Sequence, residues 1–153
     1  MIFYSMRGFT LIELIIVLGI LAAVAVLSLP FVQSFQVSSD LYTYVDTINR
    51  TLQRAQQQAI AGQESSSWGV YFDNPNKKFI LFKGDNYASR DPDYDQETKY
   101  PAVFSISTDF GDEINFSLYS GSPSVVGTTT IISSNNETKY IVIKDSGLIQ
   151  IND

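Results

Sequence analysis

The chain has no cysteine and no histidine. Without cysteine there is no disulfide framework, no thiolate nucleophile and no zinc–sulfur site. Without histidine, the commonest general base and metal ligand is missing. Ser–His–Asp and Cys–His catalysis are therefore excluded within this chain, which leaves only chemistry by carboxylates. Basic residues are also scarce. Ten Lys and Arg against sixteen Asp and Glu give a formal net charge of -6, with no basic run. Duplex-DNA binders draw most of their affinity from neutralised phosphates and carry a basic face, so this balance argues against a nucleic-acid partner. The expectation is a non-enzyme with no catalytic residues, no cofactor and no metal.

What the chain does have is an apolar run near its start. Phe9 to Leu29 is twenty-one residues with a single charge, Glu13. As a helix this run spans roughly 30 Å, the hydrocarbon thickness of a bilayer. A core helix of a soluble domain seldom needs to be apolar all round. A secretory signal peptide has a shorter apolar middle, about 7–15 residues, followed by a small-residue cleavage site. Here "SLPF" ends the run, while Arg7 and Gly8 stand immediately before it. A cut after Gly8 would leave the apolar helix in the mature chain, as a retained anchor. Arg7 flanks the amino end and the next basic residue is Arg50. The positive-inside tendency therefore puts the amino end in the cytoplasm and the remainder outside.

A carboxylate at the centre of a membrane helix costs about 2.5–3.5 kcal/mol on insertion scales, and less near an end. Glu13 could reach the cytoplasmic headgroups. It could also pair with a positive charge from another chain, and cleavage after Gly8 would create one in the α-amino group of Phe9. Paired in an apolar bundle, the two charges are tolerable where either alone is costly. The pair would also set the axial register between neighbouring subunits.

"RGFTLIELIIVLGILA" closely resembles the amino-terminal signature of type IV pilins and type II secretion pseudopilins. The resemblance implies a prepilin peptidase that cleaves after Gly8 and N-methylates Phe9. It also implies that Glu13 is the assembly glutamate, and it places Pro30 where many members carry a helix-kinking proline. Its implied partners are the other pilin or pseudopilin subunits of a helical filament, inner-membrane lipid, and an assembly platform with its ATPase. The signature covers only about the first thirty residues.

Pro30 has no amide donor and crowds the preceding turn, which kinks or loosens a helix. Helical signal then resumes. Leu41, Val45, Ile48, Leu52, Ala55 and Ala59 recur at steps of four and three as one apolar stripe, with Asp46, Asn49, Arg50, Gln53, Arg54 and Gln57 on the other faces. Gly62 offers a stop before the polar "QESSS". A helix from Phe9 to about Ala61 would be roughly 80 Å long.

The remainder reads as short strands: "WGVYFD", "KFILFK", "AVFSIS", "EINFSLY", "TTTIIS", "KYIVIK" and "LIQI". The turn signal "DNPNK" predicts a hairpin of 68–73 with 78–83, and "DSG" predicts one of 139–144 with 148–151. The expected fold class is α+β, a long amino-terminal helix packed against an antiparallel sheet head. Its divisions are a leader at 1–8, a transmembrane and assembly helix at 9–30, an amphipathic helix at 31–62 and the head at 63–153. Within the pilin resemblance, "WGVYF" after the helix and the terminal "TTTIIS…KYIVIKDSGLIQI" are most similar to the GspH/FimT group of minor pseudopilins.

Three further features bear on function. "DPDYDQE" at 91–97 alternates carboxylates but has Gln96 where a calcium loop of the EF-hand type needs glycine, and it reads as a solvated loop. Trp68 reads as core, and Tyr87, Tyr94 and Tyr100 read as packing on the sheet rather than as a recognition surface. Asp112 and Glu113 are adjacent, so on a strand they would point to opposite faces, which disfavours a carboxylate hydrolase. The resulting expectation is a filament subunit, a minor pseudopilin or minor pilin. A filament-borne adhesin or DNA-uptake receptor is the alternative.

Overall fold

In the computed structural model the described residues are 8–152, except for the side chains of 27–34. The chain divides into two units, Met1–Gln36 and Val37–Asp153. One helix, α1 (Leu11–Ile60), has residues in both.

The core lies in the second unit. Every residue of the anticipated stripe is buried there: Leu41, Val45, Ile48, Leu52, Ala55 and Ala59. They meet the inward faces of two sheets, through Trp68, Val70, Phe72, Phe79 and Leu81 on one side and Phe104, Ile106, Ile131, Ile141 and Ile143 on the other. A 3.6-residue period keeps these helix positions on one face. Away from the stripe, the Thr43, Thr47 and Thr51 hydroxyls each donate to the carbonyl four residues earlier, at 3.1, 2.7 and 2.8 Å. The helix ends as anticipated at Gly62, whose φ of 63° is left-handed, a conformation glycine adopts at no steric cost. Two groups near that end of the helix are hydrogen-bonded to the head. The Tyr119 N–H donates to Ala59 O at 2.9 Å, and Gln56 Nε2 donates to Gly121 O at 3.1 Å and Gly147 O at 2.8 Å.

Eight strands follow: β1 Trp68–Asp73, β2 Lys78–Lys83, β3 Asp91–Lys99, β4 Phe104–Thr108, β5 Glu113–Phe116, β6 Gly127–Ser133, β7 Thr138–Ile143 and β8 Ile149–Asn152. They form two four-stranded sheets, in the orders β3-β2-β1-β5 and β4-β6-β7-β8. All pairings are antiparallel. Both anticipated hairpins are present, with Asp73 opposite Lys78 and Ile143 opposite Ile149. The fold is α+β, a helix packed on antiparallel sheets.

Residues 91–97 depart from the expected solvated loop. This segment is a strand, not a loop, and it adds to the open edge of β2. It lacks the apolar alternation of a half-buried strand because an edge strand needs little more than its backbone ladder on one side. The register shifts opposite Leu81–Lys83, so Pro92, which has no N–H to donate, sits where the ladder is interrupted. The strand's acids meet bases at its border: Glu97 with Lys78 at 2.6 Å, Asp91 with Lys83 at 3.4 Å, and Asp95 with Arg90 at 2.8 Å.

Candidate functional site

Gly8, Phe9 and Thr10 precede the helix and are exposed. Thr10 caps it. The Glu13 N–H donates to Thr10 Oγ1 at 3.3 Å, and the Leu14 N–H donates to Thr10 O at 3.2 Å. Threonine followed three residues later by glutamate, ahead of an apolar run, is the spacing of a capping box. That spacing is legible in the sequence alone. Glu13 also sits in the first turn, where the positive pole of the helix favours a carboxylate. A helix-capping role thus places an acid here without any second chain, while a charge partner for it would have to come from outside the helix.

From Leu11 to Val26 every residue of α1 is exposed, and with Phe9 its large apolar side chains retain 43% to 81% of their surface. A Cβ added at Gly19 would meet nothing within 4 Å. Burying one such side chain is worth about 1.5–3 kcal/mol, so a helix bare on all sides calls for cover that the described residues do not provide. Among the described residues no stretch of helix is long and apolar enough to cross a membrane. The described side chains stop at Val26, short of the anticipated end of the run at Leu29. The anticipated kink at Pro30 lies outside the described side chains, and residues 1–7 of the expected leader 1–8 lie outside the described residues.

In the head, the aromatic residues singled out from the sequence pack as anticipated. Trp68 is buried, and its Nε1–H donates to Gln63 O at 3.1 Å. Tyr94 meets it edge-on at 6.0 Å. Tyr87 stacks on Tyr71 at 3.8 Å, and the Arg90 guanidinium lies 3.8 Å from the Tyr87 ring centre. Tyr100 is buried and donates to Asn74 Oδ1 at 2.9 Å. Glu113 accepts the Tyr87 N–H at 2.8 Å. Burial, followed by the nearby Asp73 charge, holds the Tyr100 phenol above its ordinary value. Among the described residues no acidic cluster is arranged to hold a metal.

The sequence matches the prokaryotic N-terminal methylation motif over residues 5–29. No curated protein matches it. Solved structures share its fold. The type IV minor pilin FimU of Pseudomonas aeruginosa is 16% identical with a TM-score of 0.63, covering 78% of this chain and 92% of that one. A second crystal form of FimU gives 12% and 0.60, over 73% and 92%. The minor pseudopilin EpsH from the type 2 secretion system of Vibrio cholerae gives 12% and 0.56, over 72% and 94%.

Proposed function

We propose that this chain, which carries the N-terminal methylation motif on a minor pilin- or pseudopilin-like fold, is a structural subunit of a type IV pilus or a type II secretion pseudopilus. A prepilin peptidase cuts between Gly8 and Phe9 and methylates the new amino group. The apolar helix holds the subunit in the inner membrane, amino end in the cytoplasm and head outside. An assembly platform and its ATPase then draw it into the filament. Residues 9–30 serve as the membrane and assembly segment, 31–62 as the amphipathic helix, and 63–153 as the head.

The observation that carries this reading is the helix from Leu11 to Val26, exposed on every side with Glu13 as its one charge. Lipid covers such a surface before assembly, and the equivalent helices of other subunits cover it afterwards. In that second setting Glu13 meets the α-amino group of a neighbour's Phe9, and the pair selects one axial register. The expected behaviour of Glu13→Ala is normal cleavage and membrane insertion, with incorporation into sheared filaments falling at least tenfold. Quantitative immunoblotting of membrane and filament fractions measures both. Wild-type incorporation of the alanine variant would refute the pairing.

A further inference from the structure

Two of the four sheet edges are closed or guarded. β3 carries Pro92 and acids at 91, 93, 95 and 97, which is how exposed edges commonly avoid further pairing. β5 is covered by the segment that follows it: the Ser124 N–H donates to Asn115 O at 2.7 Å, the Asn115 N–H donates to Ser124 Oγ at 3.1 Å, and Phe116 bridges to Pro123. At β4 only the first N–H, that of Phe104, is turned onto a neighbour, Pro101 O, at 3.1 Å. β8, with the sequence "IQIN", has no charge and no proline.

The turn before β8 fixes which of its backbone groups face outward. The Lys144 N–H donates to Leu148 O at 3.0 Å and the Gly147 N–H to Lys144 O at 2.8 Å. Gly147 has a φ of 78°, so a tight turn closes on a left-handed glycine. Lys144 and Leu148 therefore occupy a hydrogen-bonded position. Antiparallel pairs alternate, so Val142–Gln150 and Tyr140–Asn152 are hydrogen-bonded and Ile143–Ile149 and Ile141–Ile151 are not. The N–H and C=O groups of Ile149 and Ile151 consequently point away from β7. Among the described residues no hydrogen bond reaches them from the open side. Leu148 and Ile151, 47% and 41% exposed, leave apolar surface beside this edge. The outward-facing residues nearby are Gln150 and Asn152 on β8 and Tyr140 and Val142 on β7, all uncharged.

We propose that β8 is a pairing edge for a second copy of this chain. Donors and acceptors repeating every two residues match an extended backbone, and this edge is complementary to itself. Laid antiparallel about Gln150, Ile149 of each copy faces Ile151 of the other, and the two hydrogen-bonded positions make four backbone bonds. Residues 148–152, which this pairing brings together, carry no carboxylate, whereas β3 carries four. The contact has a two-fold axis. A polar filament has none, so on the filament reading the pair forms between subunits that are not yet assembled. The pairing itself does not depend on that reading.

The absence of cysteine makes the test direct. Across the two-fold axis Gln150 faces itself as a non-hydrogen-bonded pair, with Cα atoms about 4.5 Å apart, within disulfide reach. Equivalent Asn152 positions are two residues further out on each strand, roughly 13 Å apart. Full-length Gln150→Cys and Asn152→Cys chains in phosphatidylcholine vesicles are oxidised mildly and followed by non-reducing gel. Gln150→Cys is expected to dimerise at least tenfold faster. Adding Ile151→Pro, which removes an outward N–H and leaves the β7 ladder intact, should bring it down to the Asn152→Cys rate. Equal rates for the two single-cysteine chains overturn the proposal, as does a Gln150→Cys rate indifferent to Ile151→Pro. If the proline disturbs the head, as judged by near-UV circular dichroism, amide exchange at Ile149 and Ile151 decides instead. Protection that grows with protein concentration supports pairing, and unchanged exchange overturns it.

Discussion

Tyr94 joins three parts of the head through one side chain. Its hydroxyl donates to Glu64 Oε2 at 3.0 Å, its ring edge meets Trp68, and Lys83 Nζ lies 3.9 Å from its ring centre. The hydrogen bond to Glu64 and then burial hold the phenol above its ordinary value of 10.0, because an ionised phenolate would lose that bond and face a carboxylate. The folded chain thus holds this proton more tightly than the unfolded chain. The resulting stabilisation is complete below about pH 10 and is lost as pH rises through the higher folded value. The melting temperature is expected to fall above about pH 10, and less steeply in Tyr94→Phe, as followed by circular dichroism from neutral to alkaline pH. An equal slope in the variant would remove Tyr94 from the cause. The sequence placed this tyrosine on the sheet, but not its partner. Glu64 reaches it only because Glu64 and Ser65 take left-handed backbone conformations, φ 53° and 50°, after the helix. No residue-type preference announces that turn.

Among the elements, the upper part of α1 was the most legible, since six apolar positions at helical spacing can share only one face. Its burial is deep enough to measure. Ile48→Ala is expected to cost about 2–5 kcal/mol, the range for a large side chain removed from a packed core. Gln57→Ala, on an exposed face, should change stability by less than about 0.5 kcal/mol. Urea unfolding of both variants makes the comparison, and similar values would contradict the packing described. β3 was illegible for the opposite reason. Its side chains, apart from Tyr94, mostly face water and bases, and its place is set by the unpaired edge of β2. Even so, its charges proved orderly, since Lys78, Lys83 and Arg90 each take one of its acids. Lys78–Glu97 and Lys83–Asp91, whose acids are exposed, contribute only about 0–1 kcal/mol each, so they guard the edge more than they stabilise it.

For the whole molecule, the buried apolar cluster begins at Leu41, inside the unit Val37–Asp153. A chain starting at Val37 is therefore expected to fold and to unfold in one cooperative transition, with the near-UV signal of Trp68 retained. A head without that signal would mean that the first unit supplies part of its stability. The sequence by itself determined the apolar amino-terminal helix with its lone acid, the amphipathic stripe, most of the strands and the exclusion of histidine and cysteine chemistry. These follow from composition and periodicity, which are local properties of a chain. Only the tertiary structure decided that the strands divide into two sheets, that an acidic segment closes one edge, and that β8 leaves its outward amides bare. Those outcomes depend on which backbone groups find partners far away in the chain, and side-chain patterns carry no record of that.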